Sequence, residues 1–317
     1  MQTALIAGGA GFIGSHLCKS LLAKDFKIIC VDNLITGDKK NIEELRNNPN
    51  FVFLEKDITK PFDQSIKTDF IFHLASPASP NKKCLKSYIN NPIETLLANS
   101  LGTYNLLELA KEISAKFLFT STSEVYGDPE VSPQSEDYFG NVNPNGIRSV
   151  YDESKRFGEA ITMAYVRKFN LDARIIRIFN TYGPFMQKDD GRVVSEFIIQ
   201  ALTNKPFTIY GDGKQTRSFC YVSDMVDGIE KAMFSGATKG EVINLGNPDE
   251  RTIVELAEIV KKICQSSLEP VFEDLPEDDP KVRKPDISKA EKLLGWKPNV
   301  GIEEGLKKTV EYFRGQI

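Results

Sequence analysis

The sequence predicts an α/β protein built on a doubly wound parallel sheet, with a smaller α/β domain in the C-terminal half. Three observations predict it. Short runs that are apolar at nearly every position alternate with longer amphipathic stretches through the first half, and strands of that composition are buried on both faces, as in a parallel sheet covered by helices. A glycine-rich turn, GGAGFIG, stands between the first run and the first amphipathic stretch, where such a sheet places a ligand-binding loop. The second half is less regular and contains an acidic, proline-bearing stretch, EDLPEDDPKVRKPD (273–286).

The elements follow in order. TALIAG (3–8) is a strand, FIGSHLCKSLLAKD (12–25) a helix, and KIICVD, FVFLEKD and FIFHLAS are three further strands. A helical stretch from Pro92 to Ser114 precedes the strand KFLFTST (116–122), and another helix starts near Tyr151 and leads to the strand RIIRIFN (174–180). Residues 1–179 are thus Rossmann-like. In the second half GRVVSEFIIQALTN and TIVELAEIVKKICQ read as helices, FTIYG and EVINLG as strands, and two last helices lie around Ala290 and Glu303. Residues 180–317 form mainly the smaller domain, with a segment near 216–238 expected to return to the first.

A chain of 317 residues is long enough for one large domain or two intimate ones. Hydrophobic residues at 41% and charged residues at 26% place it among water-soluble globular proteins. Net charge is −4 and no stretch gathers basic residues into a phosphate-binding patch, which argues against a nucleic-acid partner. The first residues lack the basic flank and cleavage site of a leader, and no run approaches a membrane span, so the cytoplasm is the expected compartment. Five widely spaced cysteines without a CxxC fit reduced thiols, and with only His16 and His73 no metal cluster is expected.

Gly8, Gly11 and Gly14 follow a strand and open a helix, the setting in which glycines allow a tight turn and close approach of backbone to a pyrophosphate. With Phe12 and Ile13 they are assigned to a dinucleotide, whose phosphates would face the positive end of the helix. The second strand ends in Asp32, where an acid bonds ribose hydroxyls and repels a 2′-phosphate, so NAD is expected rather than NADP. Asn33, Leu74 and Ala75 are assigned to the same cofactor. Asp57 and Ile58 end the third strand and either approach the adenine or close that strand without a contact.

TSTSEVYG (120–127) ends an apolar run. Hydroxyl residues and glycine are common turn formers, so a polar turn is one reading; in an open α/β sheet, however, ligands bind beyond the carboxyl ends of the strands. Further on, Tyr151 and Lys155 stand four apart, on one side of a helix. A phenol titrating near about 10 is a poor base at neutral pH unless a cation stabilises the phenolate, which Lys155 and the nicotinamide charge would do.

The glycine fingerprint, Asp32, the Ser/Thr cluster before VYG and YxxxK together resemble the extended short-chain dehydrogenase/reductase family of nucleotide-sugar enzymes. The 4,6-dehydratases of that family carry Thr-Asp-Glu where this chain has Thr122-Ser123-Glu124, and its 4-epimerases typically lack the carboxylate at 124. Thr, Ser and Glu in that order resemble the UDP-glucuronate decarboxylases (UDP-xylose synthases). HLASPASP (73–80), STSEVYGDP (121–129), NVNP (141–144), YDESKR (151–156), RIFNTYGP (177–184), DGRVVSEF (190–197), YGDGKQTRSF (210–219) and RKPDI (283–287) extend the match over nearly the whole chain.

The resemblance implies decarboxylation of UDP-glucuronate to UDP-xylose through transient oxidation at C4 with tightly bound NAD. An NAD-dependent 4-epimerase is the alternative, with a 4,6-dehydratase behind it. It implies a catalytic set of Thr122, Glu124, Tyr151 and Lys155, of which Tyr151 and Lys155 also bind the cofactor. On the substrate it implies Ser123 and Tyr210, Asn180 and Arg217 on the diphosphate, Arg192 and Val193 at the uridine, and Arg283 on either the sugar carboxylate or the diphosphate. It also implies a homodimer paired through the helices near 92–114 and 151–170. A tight clamp on the carboxylate would stabilise substrate more than transition state, so Glu124 is read as acting near C5 or holding water there, with a backbone cap as its structural alternative.

The chain departs from that family in Ser154 for the usual Gly, Phe185 for Arg, Phe139 for Trp, and a longer link, NKKCLKSYIN (81–90), after HLASPASP. Phe185 and this link fall where substrate recognition is expected.

Overall fold

The computed structural model describes residues 1–62, 66–274 and 282–317. The first strand β1 (Thr3–Ala7) leads through the glycine turn into α1 (Phe12–Leu22), followed by β2 (Lys27–Asp32), β3 (Phe51–Glu55) and β4 (Phe70–His73). Next come α2 (Pro92–Leu97), α3 (Thr103–Ile113), β5 (Lys116–Thr122), α4 (Ser149–Phe169) and β6 (Ala173–Ile178). Ala4 to Ala7 and Phe117 to Phe119 have no exposed surface, because helices cover both faces of the sheet, as their unbroken apolar runs require.

The chain continues through β7 (Thr181–Tyr182), α5 (Val193–Leu202), β8 (Thr208–Tyr210), β9 (Thr216–Ser218), β10 (Cys220–Tyr221) and α6 (Val222–Phe234). It closes with β11 (Val242–Leu245), β12 (Glu250–Thr252), α7 (Ile253–Cys264), β13 (Val271–Glu273), β14 (Val282–Arg283), α8 (Ser288–Leu294) and α9 (Ile302–Arg314). The central sheet is parallel, in the order β11-β6-β5-β4-β1-β2-β3. It is the doubly wound sheet that the apolar runs predict, with the reversal of strand order beside β1.

Three details differ from the reading of the sequence. The stretch 92–114 is not one regular helix: a π turn at Ala98–Gly102 separates α2 from α3. The turn brings Asn99 inward, where its amide donates to Ser76 Oγ (2.9 Å) and Ser154 Oγ (3.0 Å), and π turns inside helices often mark such functional positions. EVINLG supplies β11, which extends the large sheet beside β6 and so reaches beyond the 216–238 segment expected to return. Half of the acidic stretch, residues 275–281, lies outside the described residues, but β14, later in the same stretch, pairs with β9 and places Arg283 opposite Arg217.

Candidate active site

A cavity of about 1450 Å³ opens at the carboxyl ends of the central strands. On one side it is lined by Gly8, Gly11, Phe12, Ile13 and Gly14, by Asp32 and Asn33, by Asp57 and Ile58, and by Leu74 and Ala75. In the middle stand Thr122, Ser123, Glu124, Tyr151 and Lys155; on the other side lie Asn180, Arg192, Val193, Tyr210, Arg217 and Arg283. Every residue that the sequence assigns to catalysis, cofactor or substrate therefore lines one space.

The glycine turn packs closely on the protein's own backbone at the edge of the cavity. A Cβ at Gly14 would stand 2.1 Å from the Gly8 carbonyl oxygen, and Gly8 itself has φ +83° with its missing Cβ 2.6 Å from Ala75 N. Only glycine fits either place. Asp32 is buried, and each carboxylate oxygen accepts one backbone N–H, from Ala10 (3.0 Å) and Leu34 (2.9 Å). The remaining lone pairs are free to accept two vicinal hydroxyls. Burial pushes the Asp32 carboxyl up, while these N–H groups and the Lys86 ammonium hold it down. Such a cradle beside an acid fits the pyrophosphate and ribose of a dinucleotide.

The central residues come from two elements. β5 runs out at Thr122, whose hydroxyl accepts the Glu124 N–H (3.3 Å) and starts a short 3-10 turn, Ser123–Tyr126. α4 packs across β5 and presents Tyr151 and Lys155 to that edge. Lys155 Nζ donates to the Thr120 carbonyl (2.8 Å) and lies 5.0 Å from the Phe119 ring centre and 5.8 Å from that of Tyr151. Burial lowers the Lys155 ammonium to about 7, against the pull of Glu159. The Tyr151 phenol is raised by burial to about 12, although the Thr122 hydroxyl beside it acts downward. Desolvation of both groups thus outweighs their proximity within the protein itself, and the expected activation of the phenol draws on Lys155 together with the nicotinamide charge.

Glu124 is an ion-pair centre rather than a backbone cap. Its Oε2 accepts from Arg148 and, at 3.3 Å, from Arg283, whose other arm donates to the Ser123 carbonyl. Burial would raise this carboxyl, but Arg148, Arg283 and Arg217 hold it at about 2. Asp152, next to Tyr151, is driven the other way, to about 8, by burial and by the Glu124 charge.

The sequence reading missed Arg148, Asp152 and Tyr88. Tyr88 stacks on Tyr151 with ring centres 5.1 Å apart and planes 7° from parallel. Its buried hydroxyl has no partner among the described residues. Arg148 stands one helical turn before Tyr151, a spacing that could have flagged it; Tyr88 lies on the longer link, where no periodicity points to it. Phe185 also lines the cavity, but its ring packs between His16 (5.1 Å) and Tyr312 (5.3 Å) near α1. Phe139 is 87% exposed and does not line the cavity.

Comparison with known proteins fits this geometry. Residues 5–309 match the family described as GDP-mannose 4,6 dehydratase. UDP-glucuronic acid decarboxylase 1 of Xenopus tropicalis is 50% identical over 313 residues, 99% of this chain and 72% of that protein. UDP-glucuronic acid decarboxylase 3 of Arabidopsis thaliana is 51% identical over 311 residues, 98% of this chain and 88% of its own. The chain belongs to the GDP-mannose 4,6 dehydratase family, on its UDP-glucuronic acid decarboxylase branch. Among solved structures, the UDP-glucuronic acid 4-epimerase of Bacillus cereus, in complex with UDP-glucuronic acid and NAD, superposes with a TM-score of 0.89 at 32% identity over all of both chains. The decarboxylase branch is thus nearer in sequence than this epimerase, although both share the fold.

Proposed function

We propose that this protein decarboxylates UDP-glucuronate to UDP-xylose, using NAD that is restored in each turnover. The observation that carries the reading is Glu124 beside Ser123 in a cavity that also holds Thr122 and Tyr151, together with the 50% identity to decarboxylases across the chain. Ser123 offers no acid for expelling a 6-hydroxyl, which disfavours dehydration, and the carboxylate at 124 disfavours simple epimerisation.

Gly8, Gly11 and Gly14 would hold the pyrophosphate of NAD and Asp32 a ribose. Bound NAD supplies the hydride acceptor for C4, the donor that restores it, and positive charge beside the phenol. Thr122 and Tyr151 hold the sugar 4-hydroxyl, and Tyr151 takes its proton. Lys155, with an ammonium near neutrality, stabilises the phenolate so formed. Oxidation makes the C5 carboxylate a β-keto acid; CO2 leaves, and its bonding electrons pass into the C4 carbonyl as an enolate. Glu124, held ionised between Arg148 and Arg283, accepts hydrogen bonds and orients a water for protonation at C5. Asn180 and Arg217 take the diphosphate, Arg192, Val193 and Tyr210 the uridine side, and Arg283 the carboxylate edge through the same arginine–glutamate cluster.

The helices supply a surface for a second copy. Ile93, Leu97, Leu101 and Tyr104 are exposed in one stripe along α2 and α3, and Phe157 is exposed on neighbouring α4. Covering this stripe in a homodimer removes an apolar patch that a monomer would leave in water. No helix of the described residues is long and apolar enough to cross a membrane, and the free thiols support a reducing, cytoplasmic setting.

The test is mass analysis of the nucleotide sugar after incubation with UDP-glucuronate and NAD. UDP-xylose with one CO2 per sugar and no accumulating reduced cofactor supports the reading. A sugar of unchanged mass sinks it in favour of epimerisation.

A further inference from the structure

The link between Ser79 and Asn91 is a folded loop that spans the cavity from its substrate side to its cofactor side. It is braced from within: Asn90 Nδ2 donates to the carbonyls of Lys82 (2.9 Å) and Cys84 (2.7 Å), and Asn91 Nδ2 to those of Leu85 (2.6 Å) and Ser87 (2.9 Å). One flank is anchored on the 187–190 segment, where Ser79 Oγ donates to the Asp190 carbonyl (2.6 Å) and Asn81 Nδ2 to that of Asp189 (2.9 Å). The other flank reaches the segment after β2: Lys86 Nζ stands 3.5 Å from the Gly37 carbonyl, and Gln187 Nε2 donates to the neighbouring Thr36 carbonyl (2.5 Å). Gly37 in turn packs so closely on Asp32 that a Cβ there would lie 2.7 Å from its Oδ1.

Two donors from across the cavity therefore close on the Thr36–Gly37 backbone beside the acid that marks the ribose end. Lys86 lines the cavity together with Gly11, Asn33 and Thr36. Its ammonium acts on the Asp32 carboxylate against the effect of burial.

We propose that Lys86 is a ligand of the bound dinucleotide at its adenosine end, and that the 79–91 loop retains the cofactor between turnovers. The inference rests on the assignment of this cavity side to NAD. A flexible ammonium can follow an anionic phosphate while its charge still acts on Asp32, and a reaction that restores its own cofactor gains from slow release.

The test is the rate at which full-length protein, saturated with NAD, loses it on gel filtration at low and at high salt. Lys86→Gln is expected to lose NAD about fivefold faster at low salt, with the difference shrinking at high salt as screening removes the charge term. Lys205→Gln, the same charge change on an exposed residue outside the cavity, is expected to match the wild type. Equal retention by Lys86→Gln and wild type at both salts overturns the proposal, as does an equal loss in Lys205→Gln. A wild type that takes up no NAD under saturating conditions sinks the cofactor assignment itself and this proposal with it.

Discussion

Glu124 and Asp152 sit near the same two arginines and titrate in opposite directions. Glu124 is held at about 2 and Asp152 is pushed to about 8, because Arg148 and Arg283 touch the first while burial and the Glu124 charge act on the second, one of whose buried oxygens has no partner among the described residues. At neutral pH one is therefore an anion and the other a neutral acid, and environments that separate two carboxylates in this way assign them different roles. Asp152→Asn, which imitates the protonated form, is expected to keep activity within about threefold, whereas Glu124→Gln is expected to slow turnover by about 100-fold or more. Steady-state rates on UDP-glucuronate compare the two, and equal losses would contradict the assignment. The stability consequence has a definite sign. With its folded value near 8 and an ordinary carboxyl value unfolded, Asp152 is protonated only in the folded chain between those pH values, so stability falls as pH rises through that window. Asp152→Asn is expected to flatten that fall in thermal melts run between pH 5 and 8. Tyr151→Phe is expected to lower turnover by about 1000-fold while the purified protein still carries NAD; loss of the cofactor as well would make cofactor binding, rather than proton removal, the main role of Tyr151.

Among the elements, α4 bears Tyr151 and Lys155, and its approach to β5 decides where they stand. Gly158 makes that approach possible: a Cβ there would lie 2.3 Å from Phe119 Cζ. Gly158→Ala is expected to lower stability by about 1–3 kcal/mol and to reduce turnover by shifting α4, and an unchanged melting temperature would show that the helix can yield. Much of this element was legible in the sequence. The apolar run KFLFTST and the Tyr–Lys spacing place strand, helix and catalytic edge, because buried parallel strands and helix faces impose their periods directly on the chain. The π turn at Ala98–Gly102 was not legible, since what bends the helix there is Asn99 reaching Ser76 and Ser154, contacts distant in sequence. The Arg148–Glu124–Arg283 cluster was half legible: motifs point to Glu124 and Arg283, but only the fold brings Arg148 to the same carboxylate. Burial of the Tyr151 phenol likewise arises from packing, including the stacked Tyr88, and no local pattern announces it.

For the whole molecule, the exposed stripe of Ile93, Leu97, Leu101 and Tyr104 predicts assembly. The double variant Leu97→Glu, Leu101→Glu is expected to sediment as a monomer where the wild type sediments as a dimer, and a wild type that is monomeric at micromolar concentration would overturn the paired-helix assembly. The seven-stranded sheet, the glycine cradle and the second-half arginines converge on one cavity, so the residues assigned to cofactor and to sugar nucleotide line a single space. Of the two departures that fall where substrate recognition is expected, Phe185 packs with His16 and Tyr312 at the cavity wall, and the 79–91 loop brings Tyr88 onto Tyr151 and Lys86 to the Gly37 carbonyl. The central claim, oxidation at C4 followed by loss of CO2 and restoration at the same carbon, is tested most directly with UDP-glucuronate deuterated at C4. The account predicts UDP-xylose that retains the deuterium at C4, with CO2 released in equal amount. Product that has lost the label, or labelled sugar that keeps its carboxyl group, would contradict it.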